Sequence, residues 1–337
     1  MKNLLFYTGQ PRDSAAVTAA DLPIRRIDRQ QEARAYIADE GLVDAVNAML
    51  LLGQPLLLTG EAGAGKTQLA YSIGYELGLE VLKFDTKSTS IARDMFYTYD
   101  TLGRFHAAQV HTGDVKAKDY IVYNALGLAI IYSKERSEID QFVPDSFPSF
   151  TPRRSIVLID EIDKAPRDFP NDLLNEVENL YFKVPELGLR DQEIGADRER
   201  PPIIVITSNS ERNLPDPFLR RCVYYNITFP DKERLRNIVL SHLISFRDNK
   251  NLWLDSALDF FLQLRTPQLK LDKQPATAEL LAWLQYLRKR DVHVNDTIYD
   301  QPQIIRASLS ILLKGADDHP KALMFFDELK RGYEKLY

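Results

Sequence analysis

The sequence predicts an α/β domain built on a five-stranded parallel sheet with flanking helices, followed by an all-helical domain. Three observations predict it. Five short apolar runs, Leu56–Leu58, Val81–Phe84, Ile156–Ile159, Ile203–Ile206 and Val223–Ile227, read as strands. Apolar residues at helical spacing lie between several of them, as over Thr67–Leu77 and Phe169–Leu180. Strands that alternate with helices make a parallel sheet covered on both faces. After Pro230 only helical periodicity remains, as in Leu235, Ile238, Val239 and Leu243, or Leu280, Leu281, Trp283, Leu284 and Leu287.

Taken in order, residues 1–35 form a polar N-terminal extension with scattered apolar positions and no assignable structure. From Ala33 to Leu52, Ile37, Leu42, Val43, Val46, Met49 and Leu50 recur near helical spacing and predict a helix. The five strand-like runs are continuous rather than alternating, the pattern of strands buried on both sides. Between the second and third lies a long segment, 89–154, with aromatic stretches at Met95–Tyr99 and Tyr120–Asn124. These stretches read either as pore loops gripping a polypeptide or as core packing for an inserted helix. Residues 188–202 are charged and punctuated by Gly and Pro, which predicts an exposed loop. Phe229-Pro230-Asp231 is the linker, so the α/β domain covers 36–231 and the helical domain 232–337.

The chain has 337 residues, 45% hydrophobic and 27% charged, an ordinary soluble composition with room for one large and one smaller domain. Its formal net charge of −5 argues against nucleic acid as the main partner, because a phosphate-backbone binder carries a basic face. Cys222 is the only cysteine, which rules out an internal disulfide and fits a reducing compartment. The N-terminus lacks the apolar core and cleavage site of a signal peptide, and no stretch approaches the ~20 apolar residues of a membrane span. A cytoplasmic location is expected. The five histidines have no metal-ligand spacing.

Chemistry concentrates first in Gly60-Glu61-Ala62-Gly63-Ala64-Gly65-Lys66-Thr67, which satisfies the phosphate-loop pattern G-x-x-x-x-G-K-[ST]. Glycines let successive backbone N–H groups turn toward phosphate oxygens, and the helix that follows, through Gln68, aims its positive end at them. Lys66 is placed to reach the β- and γ-phosphates of ATP, and the Thr67 hydroxyl to ligate Mg²⁺. An apolar strand before the loop and a helical pattern after it distinguish this from an ordinary glycine-rich turn. The run Ile156–Ile159 then ends in Asp160-Glu161. A buried strand ending in a carboxylate puts Asp160 at the Mg²⁺ shell, and Glu161 becomes the candidate general base for a water. The strand Ile203–Ile206 ends in Thr207-Ser208-Asn209, whose amide reads either as a partner for γ-phosphate and water or as an Asx turn. Arg220 and Arg221 precede the last strand, and read either as surface charges or as guanidiniums that reach a neighbouring subunit's γ-phosphate.

Together these residues resemble the AAA+ superfamily of P-loop NTPases and, within it, the MoxR-like ATPases. Asp160-Glu-Ile-Asp-Lys-Ala165 with Phe169–Asn175 is similar to that family's Walker B segment and following helix, and Val184–Gly188 to its hairpin before sensor 1. Thr207–Asp216 through Phe218–Cys222 is similar to sensor 1 and the arginine-finger region. The resemblance is dense from Tyr36 to Asp231 and thinner beyond. It implies an AAA+ core with a C-terminal helical lid, and a ring of six copies with ATP between subunits. In that ring Asn209 is sensor 1, and Arg221, with Arg220 as the alternative, is the finger. It also implies chaperone-like remodelling of a partner protein carrying a von Willebrand factor A domain. Sensor 2 departs from the family, since Lys273–Glu279 lacks the expected arginine. Lys273 and Arg306 are the two candidates there, beside plainer readings as a solvated lysine and a helix-surface arginine. Two rivals share the phosphate loop. A nucleic-acid-linked or restriction/defence motor is disfavoured by the acidic charge and the lack of a basic stretch. A small-molecule kinase is disfavoured by the Asp160-Glu161 pair, the tandem arginines and the separate helical domain.

Overall fold

The computed structural model describes residues 29–110, 115–189, 192–209, 214–243, 252–290 and 296–334. Most of the expected N-terminal extension, residues 1–28, lies outside the described residues. The chain divides into two units, one spanning Tyr36–Pro230 and the other Asp231–Tyr337 together with the described residues before Tyr36.

In the first unit the strands are β1 (Leu56–Gly60), β2 (Glu80–Asp85), β3 (Tyr97–Tyr99), β4 (Ile121–Tyr123), β5 (Ser155–Asp160), β6 (Tyr181–Phe182), β7 (Ile194–Gly195), β8 (Ile203–Thr207) and β9 (Val223–Ile227). Five of them form the expected parallel sheet in the order β2-β5-β8-β1-β9. With α1 (Arg29–Arg34) assigned to the other unit, the helices here are α2 (Glu40–Leu52), α3 (Lys66–Leu77), α4 (Thr101–Val110), α5 (Ala125–Ser133), α6 (Arg136–Ile139), α7 (Phe169–Asn179) and α8 (Asp216–Leu219).

The pleat of the sheet separates two cores. Leu56, Leu58, Ile156, Leu158, Ile203 and Val205 face one side and pack with Leu42, Met49, Leu69 and Ile73 of α2 and α3. Leu57, Val157, Ile159, Ile204 and Ile206 face the other side and pack with residues of α5 and α7. Successive side chains of a strand point to opposite faces, so a continuous apolar run is what a strand with a core on each side needs. That holds for β1, β5 and β8. It fails for β2 and β9, which lie at the sheet edges and alternate between covered and exposed residues.

The structure corrects two sequence expectations and decides between the two readings of a third segment. The helix expected over Ala33–Leu52 is two helices, because Asp39 stops at an extended backbone and caps α2, its side chain accepting from the Leu42 N–H at 2.8 Å. The loop expected over 188–202 contains β7, which pairs with β6 and buries Ile194. The aromatic stretches of 89–154 are core: Met95, Phe96, Tyr97 and Tyr123 are buried, β3 and β4 pair antiparallel, and Phe96 stacks on Phe182 at 5.0 Å. Burial of those rings removes the pore-loop reading for them.

Among the described residues beyond Pro230 the second unit has helices only, α9 (Lys232–His242), α10 (Leu252–Leu264), α11 (Thr277–Lys289), α12 (Pro302–Leu312) and α13 (Asp318–Glu334). Asp231 caps α9 by accepting from the Arg234 N–H at 2.8 Å. Trp253, Phe260, Trp283, Leu309 and Phe326 are buried, and the Trp283 indole N–H donates to Ser308 Oγ at 2.8 Å. Ser241 Oγ donates to the Ala35 carbonyl at 2.7 Å, which ties the residue after α1 to α9.

Candidate functional site

The site grows from the carboxyl ends of β1, β5 and β8. β1 ends at Gly60, whose φ is 138°, and a Cβ there would lie 2.5 Å from the Ile227 carbonyl oxygen, so the chain turns only as glycine. The loop continues through Gly63 and Gly65 at φ of 78° and 93°, and α3 starts at Lys66 with no side chain capping its first turn. Open N–H groups at a helix start are the donors an anion needs.

Lys66 is 6% exposed. Its Nζ donates to the Gly60 and Glu61 carbonyls at 2.8 and 2.9 Å and to Asn209 Oδ1 at 2.9 Å. Burial lowers its pKa, and the nearby carboxylates Asp163, Asp160, Glu161 and Glu61 only partly restore it. The site therefore holds a desolvated cation whose charge an incoming polyanion would stabilise.

Asp160, at the end of β5, is the hub. Its Oδ1 accepts from Thr67 Oγ1 at 2.8 Å and from Thr207 Oγ1 at 2.6 Å, and its Oδ2 lies 2.8 Å from Lys83 Nζ. Burial works against its charge, but the hydrogen bonds from Lys83, Thr207 and Thr67 outweigh it and hold the carboxyl below its ordinary range. Lys83 also lies 2.6 Å from Asp85. Burial opposes its charge too, yet Asp160 and Asp85 hold the ammonium above the ordinary lysine range.

Glu161 follows with a left-handed backbone, φ 56° and ψ 53°, uncommon outside glycine. Its N–H donates to Thr207 Oγ1 at 2.9 Å, its Oε2 pairs with Lys164, and Asn209 Nδ2 stands 3.5 Å from Oε1. Asn209 is set by Asp163, whose Oδ1 accepts from the Asn209 N–H at 3.0 Å and from Ser208 Oγ at 3.2 Å.

Of the residues singled out from sequence, Lys66, Thr67, Asp160, Glu161 and Asn209 fall in one connected network, with Gly60–Gly65 forming its floor. Glu61, Ala62 and Gly63 line the exposed rim, and Gln68 sits in the first turn of α3. Arg221 and Arg220 lie apart from this network. Arg221 is exposed and pairs with Glu178 of α7 at 3.0 Å, while Arg220 is exposed with no side-chain bond among the described residues. In the helical unit, Arg306 is bonded to Asp327 at 2.6 Å and Lys273 is an exposed loop residue. Both fit their plainer readings.

Sequence reasoning passed over Lys83, Thr207, Asp163 and Lys164. Thr207 and Asp163 stand beside flagged residues, and their adjacency was the available signal. Lys83 carried none, because its role depends on the register that sets Asp85 opposite Asp160.

The donor set suits a nucleotide and a divalent ion. A hydroxyl and a carboxylate oxygen converge where hard-cation ligands are needed, beside a glycine-rich turn whose helix start carries no side-chain cap. No cluster of three His, Cys, Asp or Glu side chains placed to hold a metal occurs among the described residues. Among them, too, no helix is long and apolar enough to cross a membrane.

Comparison with known proteins matches residues 56–230 to the family described as ATPase family associated with various cellular activities (AAA). No curated protein sequence matches the chain. Among solved structures it is similar to the Thermotoga maritima RuvB Holliday junction branch migration motor, at 16% identity and a TM-score of 0.43, over 81% of this chain and 67% of that one. Similarity at that level says nothing about DNA.

Proposed function

The chain belongs to the AAA family of ATPases, and from that premise we propose that it hydrolyses ATP with Mg²⁺ at the Lys66–Asp160–Asn209 network. The observation that carries this reading is the shared hydrogen-bond network in which Lys66, Thr67, Asp160, Glu161 and Asn209 meet. Gly60, Glu61, Ala62, Gly63, Ala64, Gly65 and Gln68 supply the cradle, and Lys66 supplies charge to the β- and γ-phosphates. Thr67 and Asp160 hold Mg²⁺, which when bound supplies positive charge to the phosphate oxygens. Asn209 orients the attacking water and Glu161 takes its proton, after release from Lys164.

Arg221 or Arg220 completes the site of a neighbouring copy in a hexameric ring. The protein is of MoxR type, cytoplasmic, and remodels a partner protein carrying a von Willebrand factor A domain, the helical unit serving as the lid. What supports this finer reading is the run of segments from Asp160 to Cys222 that resembles the MoxR-like ATPases.

Glu161→Gln tests the chemistry. It should leave nucleotide affinity intact and abolish phosphate release; steady turnover would remove Glu161 as the base. Sedimentation with and without ATP, on the parent and on Arg220→Ala and Arg221→Ala, tests the ring. A strict monomer with full turnover would sink it.

A further inference from the structure

Lys83 stands on the edge strand β2, with its ammonium between two carboxylates: 2.8 Å from Asp160 Oδ2 and 2.6 Å from Asp85 Oδ1. The parallel register sets Asp85 directly opposite Asp160, so the lysine two residues back reaches across the strand ends to both. Asp160 Oδ1 is already engaged by Thr67 and Thr207. Both oxygens of the carboxylate are therefore satisfied by the chain itself, Oδ2 by a full positive charge.

We propose that Lys83 is a positioning residue that occupies Asp160 as a built-in cation and thereby sets how strongly the nucleotide site takes up Mg²⁺. Asp85 is the alternative seat of the ammonium when metal arrives. The inference rests on the reading of Asp160 as a residue of the metal shell.

The reason is electrostatic. A divalent ion brought to Asp160 meets the like charge of Lys83 at close range, where partial burial weakens screening. The repulsion falls if the lysine shifts toward Asp85. The side chains have room for this, with Lys83 31% and Asp85 70% exposed. Neutralising residue 83 therefore favours metal, and neutralising residue 85 disfavours it, because the lysine then has only Asp160. An ion pair without influence on the metal site predicts that both variants leave metal affinity where it was.

The test is calorimetry on the full chain with the β,γ-imido analogue of ATP, in EDTA and in excess Mg²⁺. The ratio of the two Kd values measures the gain from metal without any turnover. Lys83→Gln should raise the ratio about three- to tenfold, Asp85→Asn should lower it by a similar factor, and Lys83→Arg should stay within about twofold of the parent. Asp160→Asn should collapse the ratio. If Asp160→Asn collapses it while Lys83→Gln and Asp85→Asn leave it in place, the proposal is wrong and the metal reading stands. If Asp160→Asn leaves it unchanged, both are wrong. Should Lys83→Gln fail to fold, Asp85→Asn keeps the lysine and decides alone by its expected fall.

Discussion

Replacing Thr207 by valine removes one hydroxyl and almost no volume. Thr207 is fully buried, and its Oγ1 both donates to Asp160 Oδ1 at 2.6 Å and accepts from the Glu161 N–H at 2.9 Å. A hydrogen bond to a charged group contributes about 1.5–3 kcal/mol, and a buried N–H left without a partner costs about 1–3 kcal/mol. Asp160 keeps Thr67 and Lys83, so the lower part of the first range applies. The expected loss is about 2.5–4.5 kcal/mol. Both tryptophans, Trp253 and Trp283, lie in the helical unit, so their fluorescence would miss it. Amide exchange on peptides covering β5 and β8, with far-UV circular dichroism in urea, is the suitable readout. Thr207→Ser should recover most of the loss.

The sign of the pH dependence follows from Asp160. Its pKa is depressed on folding, so its stabilisation is present above the unfolded value near ~3.9 and is lost as pH falls through the folded value. The gap between parent and Thr207→Val should therefore narrow below about pH 4. A loss under about 0.5 kcal/mol at neutral pH would refute the claim that this hydroxyl ties Asp160 to the Glu161 backbone.

Gly127→Ala should destabilise by about 3 kcal/mol, because a Cβ there would sit 2.0 Å from the Phe96 carbonyl oxygen and force α5 away from the β3 segment; an unchanged urea midpoint would contradict it. Burial pushes the Cys222 thiol up to about 12. A thiol reagent at pH 8 should accordingly label the folded chain roughly a hundredfold more slowly than the urea-unfolded one. Equal rates would show the thiol to be accessible and ordinary.

How much could be read in advance depended on how local the cause was. β1, β5 and β8 were legible because a core on each face demands an unbroken apolar run. The edge strands β2 and β9 were found by the same rule but misjudged in burial, since an edge leaves alternate residues uncovered. The break before α2 was hidden because periodicity continues through Ile37 while the cap at Asp39 ends the backbone pattern. The phosphate-loop candidate stood out because its glycines, lysine and threonine are consecutive. Lys83 and Thr207 bear on Asp160 from other strands, through a register that no single run encodes.

The sheet order also dictates when the site can exist. β1 carries the Gly60–Thr67 loop, yet both of its neighbours, β8 and β9, are made from residues 203–227. A nascent chain that has reached residue 200 holds the loop on a strand with no partner on either side, and β5 with one open edge. Strand insertion over about 150 intervening residues is slow and leaves hydrophobic edges exposed meanwhile. Translation must therefore run past Thr207 before β1 gains any strand partner, and past Ile227 before it has both. A ribosome stalled earlier would present an aggregation-prone edge.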